Sequence, residues 1–423
     1  MEIGSLSPSP LWGGPTFREG WGEGMDLTDT QSFEQTHPMT TTHQPAPALK
    51  EIFNADRLQH IATEMTAVYP EFNAKAFLKL ANDGLAELSI MQRMARVSEC
   101  LHAVLPLSYE ETLEVLRALA PRLNSGFVSI SLPHYVATYG AHAFEQSMNA
   151  LKYFTTFGSS EFAIRHFLRS DIERSLAVMH DWSLDENEHV RRLASEGSRP
   201  RLPWSFRLEQ IQADPTLAAA ILDNLKADDS LYVRKSVANH LNDITKDHPE
   251  WVLDLIEGWS LDNKHTAWIA KHALRSLIKQ GNQRALAIIG ASGKPEVEII
   301  DVKVEPAVIR LGEKITLSFA VKSTVQDSQR LVIDYAIDYV KANGSTSAKV
   351  FKLKALTLPG KMTETIARSQ QIKELTTRKH YVGKHAVHVL VNGERLASTA
   401  FEILSQPVAA AEPARLRSAA KQS

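Results

Sequence analysis

Three stretches of this chain concentrate the residue types able to do chemistry. The first is Ser159-Ser160-Glu161-Phe162-Ala163-Ile164-Arg165. The second runs from His189 through Val190-Arg191-Arg192 to Glu196, Arg199, Arg201 and Trp204. The third runs from Tyr232 through Val233-Arg234-Lys235 to Asn239, His240 and Asp243. Arg191, Arg192, Arg199, Arg201, Arg207 and Arg234, beside helix N-termini, make a track suited to phosphates. The plain alternative is that several of them pair with Glu188, Glu196 and neighbouring acids. Glu161 fits a capped first turn, and Arg165, one turn later, offers an i,i+4 pair. Asp243 fits less easily. Its helix buries Val233, Val237, Leu241 and Ile244, which sets Ser236, Asn239, His240 and Asp243 off the core face. An acid near a helix C-terminus also opposes the macrodipole. Trp204, held between prolines and arginines, is placed either to stack on a base or sugar or to pack on the next helix.

Familiar catalytic signatures are absent: there is no phosphate-cradling glycine loop, His-Glu-x-x-His, nucleophile elbow or CxxC. His380, His385 and His388 alternate along a strand, which favours packing over a metal site. No metal or other cofactor is expected, and no lysine stands out as a Schiff-base nucleophile.

The elements that must position these residues are helical. From Ala48 to about Gly290 apolar residues recur at three- and four-residue spacing, as in Leu58, Ile61, Met65 and Val68. Val190-Arg191-Arg192 returns as Val233-Arg234-Lys235, 43 positions later (233 minus 190), each after an acidic loop. A repeat of that length with paired helices predicts a HEAT-like solenoid with an extended concave face. The pattern changes at Ser292-Gly293-Lys294-Pro295, and from Val297 to Leu404 it alternates, with turns at Asn343-Gly344 and Asn392-Gly393. About seven short strands there predict an immunoglobulin-like β-sandwich, with Tyr381 as a candidate tyrosine corner. The chain is thus expected to be multidomain. Residues 1–46 form a disordered extension, 47–292 an all-α HEAT-like repeat domain, 295–405 the sandwich, and 406–423 a loose tail. The composition of the extension suggests true initiation at Met25 or Met39, which intact mass would test.

Composition bounds the reading. The chain has 423 residues, 43% of them hydrophobic, with a formal net charge of -2 and a pI near 6.8. Overall charge does not announce a polyanion partner, but an arginine-rich patch can bind one. One cysteine, Cys100, excludes a disulfide framework. No secretory signal or membrane-length apolar run is present, so a cytoplasmic protein without membrane contact is expected.

Taken together, the three segments resemble the AlkC branch of the HEAT-like-repeat DNA glycosylases, over roughly residues 47 to 404. The resemblance implies excision of cationic N-alkylated bases, chiefly 3-methyladenine and also 3-methylcytosine, from double-stranded DNA without flipping the nucleotide into a pocket. It assigns Glu161 and Asp243 to the carboxylates approaching the lesion's deoxyribose, and Trp204 to an aromatic contact there. Arg192 and Arg199 match positions lining the DNA cleft, and Arg165, Arg191, Arg201, Arg234 and Asn239 are expected to extend that surface. The chemistry expected is that of a monofunctional enzyme, acting as a monomer. The rival class is a non-enzymatic HEAT scaffold binding DNA or protein on its concave face. What separates the two is the pair of acids and Trp204 inside an arginine-lined surface, since a scaffold has no need for unpaired acids facing a polyanion.

Overall fold

A computed structural model describes residues 49–291, 293–374 and 379–405. The extension 1–46 and the tail 406–423 lie outside the described residues. Helix starts follow from capping side chains. Asn54, Asn73, Ser89 and Ser108 each accept from the third amide of α1 (Ala55–Val68), α2 (Ala74–Asn82), α3 (Ile90–Val104) and α4 (Tyr109–Leu119). Ser89 with Gln92, and Ser108 with Glu111, complete reciprocal capping boxes. Next come α5 (Gly126–Ser129), α6 (Ser131–Tyr139), α7 (Phe144–Phe154), α8 (Glu161–Ser170), α9 (Ile172–Trp182) and α10 (Glu188–Gly197). The series closes with α11 (Glu209–Ala213), α12 (Ala219–Leu225), α13 (Leu231–Ile244), α14 (Pro249–Glu257) and α15 (Lys264–Ala273).

The helices stack as a HEAT-like ladder. α6, α8, α10, α13 and α15 lie each against the next, backed by α7, α9, α12 and α14. The sequence repeat has a mechanical meaning. Arg191 donates to the carbonyls of Asp185 and Glu186 at 2.9 and 2.8 Å, and Arg234 to those of Asp228 and Asp229, both at 2.8 Å. In both repeats the arginine reaches back six and five residues and clamps the loop that opens its own helix.

A second compact unit begins at Leu277, so the last helical turns group with the sandwich. Its strands are β1 (Val297–Glu305), β2 (Val308–Arg310), β3 (Lys314–Ser323), β4 (Gln329–Val340), β5 (Thr346–Leu358), β6 (Thr363–Gln371), β7 (Gly383–Val391) and β8 (Glu394–Leu404). They form one sheet in the order β1-β3-β6 and another in the order β2-β8-β7-β4-β5. Alternation sends Ile315, Leu317, Phe319 and Val321 of β3 into the core against Ile333, Tyr335, Val387 and Val389. The described strands number eight rather than about seven, because the three-residue β2 pairs parallel to β8. Asn392 and Gly393, at φ 48° and 81°, make the expected two-residue hairpin turn between β7 and β8. The tyrosine corner is corrected: Tyr381 is 36% exposed, and it is its carbonyl that accepts, from His385 Nε2 at 3.0 Å.

Candidate active site

Glu161 is the first residue of α8, and Asp243 sits in the last turn of α13. One continuous chain of charges joins them. Arg192 donates to Glu161 Oε2 and, at 2.7 Å, to Ser159 Oγ; that hydroxyl also donates to Glu161 at 2.7 Å. One turn on, Glu196 Oε1 lies 3.6 Å from Arg192 and 2.5 Å from Arg199 Nη1. Arg199 Nε then donates to Asp243 Oδ2 at 2.9 Å, with Nη2 at 2.8 Å from the same oxygen. The order is acid, guanidinium, acid, guanidinium, acid. On the outside, Lys246 Nζ donates to Asp243 Oδ1 at 3.3 Å.

Burial sets the electrostatics. The Glu161, Arg192, Glu196, Arg199 and Asp243 side chains are 13%, 14%, 7%, 9% and 6% exposed. Desolvation alone would raise the Glu196 carboxyl, but Arg192, Arg199 and a 2.6 Å hydrogen bond from Ser236 Oγ hold it well below the usual carboxylate range. Burial likewise pulls Arg192 and Arg199 down, and their acids outweigh it, so both guanidiniums are held charged. Tyr232 lies with its ring centroid 5.0 Å from the Arg192 guanidinium.

Several expectations change here. Asp243 is not off the core: α13 lies between α10 and α15, so Ser236, His240 and Asp243 are buried along with its apolar face. The acids are not unpaired either. The plain alternative of arginines pairing with nearby acids is what the structure shows, for Arg191 too, bidentate to Asp228 at 2.7 and 3.1 Å. Arg201 makes the same kind of bidentate pair with Asp247.

Arg165 needs a separate correction. Its side chain is fully buried, faces no surface and does not pair with the Glu161 carboxylate, which Arg192 takes instead. Its guanidinium instead donates to the carbonyls of Gly197, Arg199 and Phe206, and burial, with Arg199 and Arg169 nearby, pushes it down to about 9. Arg165 therefore pins both ends of the loop that carries Arg199 and Trp204. Trp204 takes φ +64°, a left-handed conformation uncommon outside glycine, and meets Phe127 edge-on at 6.3 Å. Asn239 accepts from Arg275 at 3.0 Å, a brace from α13 to the residues just after α15.

Glu196, Ser236 and Lys246 were missed as site residues. Glu196 had a signal: four residues after Arg192 and three before Arg199, it can reach both on one helical face. Beneath it lies His240, fully buried; burial, and then Arg199, outweigh Glu196 and a backbone contact with Ser195 and push it down to about 3, so it is neutral. In the sandwich, His385 packs flat on Phe401 and His388 pairs with Asp338 at 3.0 Å. Among the described residues no cluster of three or more His, Cys, Asp or Glu is arranged to hold a metal ion, and no helix is long and apolar enough to cross a membrane.

The chain has relatives among known proteins. Residues 142–277 match the family of DNA alkylation repair enzymes, and residues 298–405 match the C-terminal Ig-like domain family of YhaZ. The chain is 42% identical over 356 residues to the YhaZ protein of Bacillus subtilis (strain 168), covering 84% of this chain and 99% of that protein. It is 71% identical to Pseudomonas fluorescens alkylpurine DNA glycosylase AlkC, solved bound to DNA containing an abasic site analog. That match spans 85% of this chain and all of that one, with a TM-score of 0.83. A helical repeat unit carrying the acid–arginine chain, joined to an Ig-like sandwich, thus has relatives along most of its length, and this chain belongs to the AlkC-type branch of the DNA alkylation repair enzyme family.

Proposed function

We propose that this protein is a monofunctional DNA glycosylase that removes cationic N-alkylated bases, principally 3-methyladenine and 3-methylcytosine, from duplex DNA. The observation that carries the reading is the convergence of Glu161 and Asp243, from two ladder helices, on one arginine-bridged chain.

Alkylation leaves the base positively charged, so it departs neutral, taking the electron pair of the glycosidic bond and needing no general acid. Positive charge develops instead on the deoxyribose, as in glycoside hydrolysis. Glu161 and Asp243 stabilise that charge more than the ground state, which is what lowers a barrier. Asp243 orients the water that adds to the anomeric carbon and accepts its proton, leaving an abasic site. Trp204, half-buried edge-on to Phe127, supplies an aromatic contact to the sugar. Arg192, Arg199 and Arg201 face the phosphates, with Arg191, Arg234 and Asn239 bracing the repeats behind them. Arg165 acts on the loop and not on DNA. In this reading the damaged nucleotide is not flipped into a pocket. The repeat domain, 47–292, is the catalytic part, and the loops of the sandwich, 295–405, add DNA contacts. The AlkC relative's complex with DNA supports the partner.

The test is release of free base from methylated duplex DNA in EDTA. Wild type should release 3-methyladenine, and Asp243→Ala and Glu161→Ala should bind DNA but lose at least about 100-fold in rate. Borohydride should trap no covalent adduct. Binding by wild type without base release would instead support the scaffold reading.

A further inference from the structure

Glu196 is the one ionised group of the chain that the proposed reaction leaves without a task. Its side chain is 7% exposed, a burial that carboxylates rarely reach without a reason. Its Oε2 is fixed by Ser236 at 2.6 Å, while Oε1 faces Arg199 at 2.5 Å and Arg192 at 3.6 Å. Each of those arginines holds a different proposed catalytic acid, Arg192 holding Glu161 and Arg199 holding Asp243. A buried salt-bridge chain is weak evidence for stability, because desolvation offsets most of the attraction. A bare pair of Arg–acid contacts would also be simpler to build.

We infer that Glu196 is a positioning and charge-setting residue of the reaction: it draws off part of the field of both arginines, so that Glu161 and Asp243 present net negative charge to the deoxyribose. The inference rests on the glycosylase reading above. The arithmetic is simple. Glu161, Glu196 and Asp243 carry three negative charges against two on Arg192 and Arg199, so the five-residue chain has an excess of one negative charge. With Glu196 neutral the excess vanishes. The arginines then lean fully on the catalytic acids and stand as uncompensated charge toward any polyanion. The same residue therefore has opposite effects on chemistry and on binding, which a purely structural role would not produce. Lys246, half exposed, holds only the outer oxygen of Asp243 and can turn away to a phosphate, whereas Glu196 is locked from three sides.

The deciding variant is Glu196→Gln, which keeps the shape and the Ser236 contact. One charge acting over about 8 Å at an effective dielectric near 20 predicts a loss of about 30-fold in the single-turnover rate at saturating enzyme. Affinity for undamaged duplex should meanwhile rise by about 2- to 5-fold, with the salt slope steepened by up to about 1. Arg192→Gln/Glu196→Gln restores the excess negative charge and replaces an ion pair by an amide pair. It should release base several-fold faster than Glu196→Gln while losing the gain in affinity. It also keeps the inference testable if the single variant does not fold, since its rate should then stay within about 10-fold of wild type. A slower Glu196→Gln whose DNA affinity falls in step with a lowered melting temperature would overturn the inference, as would an unchanged rate. If wild type releases no base at all, the glycosylase reading fails instead, and the affinity arm still reports on the charge of the arginines.

Discussion

Asp243 shows how much one buried carboxylate carries. Its side chain is 6% exposed and is the acid that faces Nε and Nη2 of Arg199, whose side chain is 9% exposed. Asp243→Ala should therefore cost about 3 kcal/mol or more of stability besides activity, because it strands a buried guanidinium. Asp243→Asn, which can still accept a hydrogen bond, should cost less; urea unfolding of both variants measures the difference. Acid should act on this site in two stages. His240 is held neutral, down to about 3 from 6.5, so its contribution is fully present above pH 6.5 and is lost as pH falls from there toward 3. Glu196 is depressed, so its contribution is present above its ordinary 4.5 and is lost as pH falls toward about 2. Unfolding free energy should accordingly drop between pH 7 and 5, and again between pH 5 and 3. His240→Leu should flatten the fall throughout, from about pH 6.5 down to 3, and Glu196→Gln only the part below about pH 4.5.

At the scale of elements, the repeat is a loop clamp before it is a DNA surface. Arg191 reaches two carbonyls and a bidentate Asp228 that is 5% exposed, tying α10 to the loop before α13. Arg201 is exposed to the same 18% as Arg191, but its partner Asp247 is 26% exposed and neither loop carbonyl holds it, so a phosphate can compete for it. The two should separate by assay. Arg191→Ala should lower stability by about 2–3 kcal/mol with a small change in salt dependence. Arg201→Ala should leave the unfolding midpoint nearly in place but reduce the magnitude of the salt slope of DNA binding by about 0.9. Salt slopes unchanged from wild type in both variants would argue that neither residue meets a phosphate.

For the molecule as a whole, the division into two compact units gives each its own stability and makes a single unfolding transition unnecessary. In the second unit, Gly281 and Gly393 both have positive φ, at 76° and 81°, and a Cβ on Gly393 would come within 2.2 Å of the Gly281 Cα. That approach fastens the turn at Gly281 to the β7–β8 hairpin. Gly393→Ala should destabilise this unit by about 2 kcal/mol or more, since neither backbone can yield cheaply. Calorimetry would show one transition moving and the other keeping its place.

What the sequence by itself determined is what lies within one element or one repeat. Apolar spacing fixed the helices, alternation fixed the strands, Asn392-Gly393 fixed a hairpin, and the 43-residue echo from Arg191 to Arg234 marked the ladder. Resemblance then pointed to Glu161 and Asp243. Burial and pairing were decided only in three dimensions. Periodicity tells which face of a helix is apolar, but α13 is flanked on both sides by ladder neighbours, so its polar face is buried as well. The partners that make this possible lie 31, 40 and 44 residues apart, as Glu161 with Arg192, Glu196 with Ser236, and Arg199 with Asp243. Helix periodicity cannot see across that distance. The stacking of repeats brings those residues within hydrogen-bond reach, and it turns scattered acids and arginines into one charged chain.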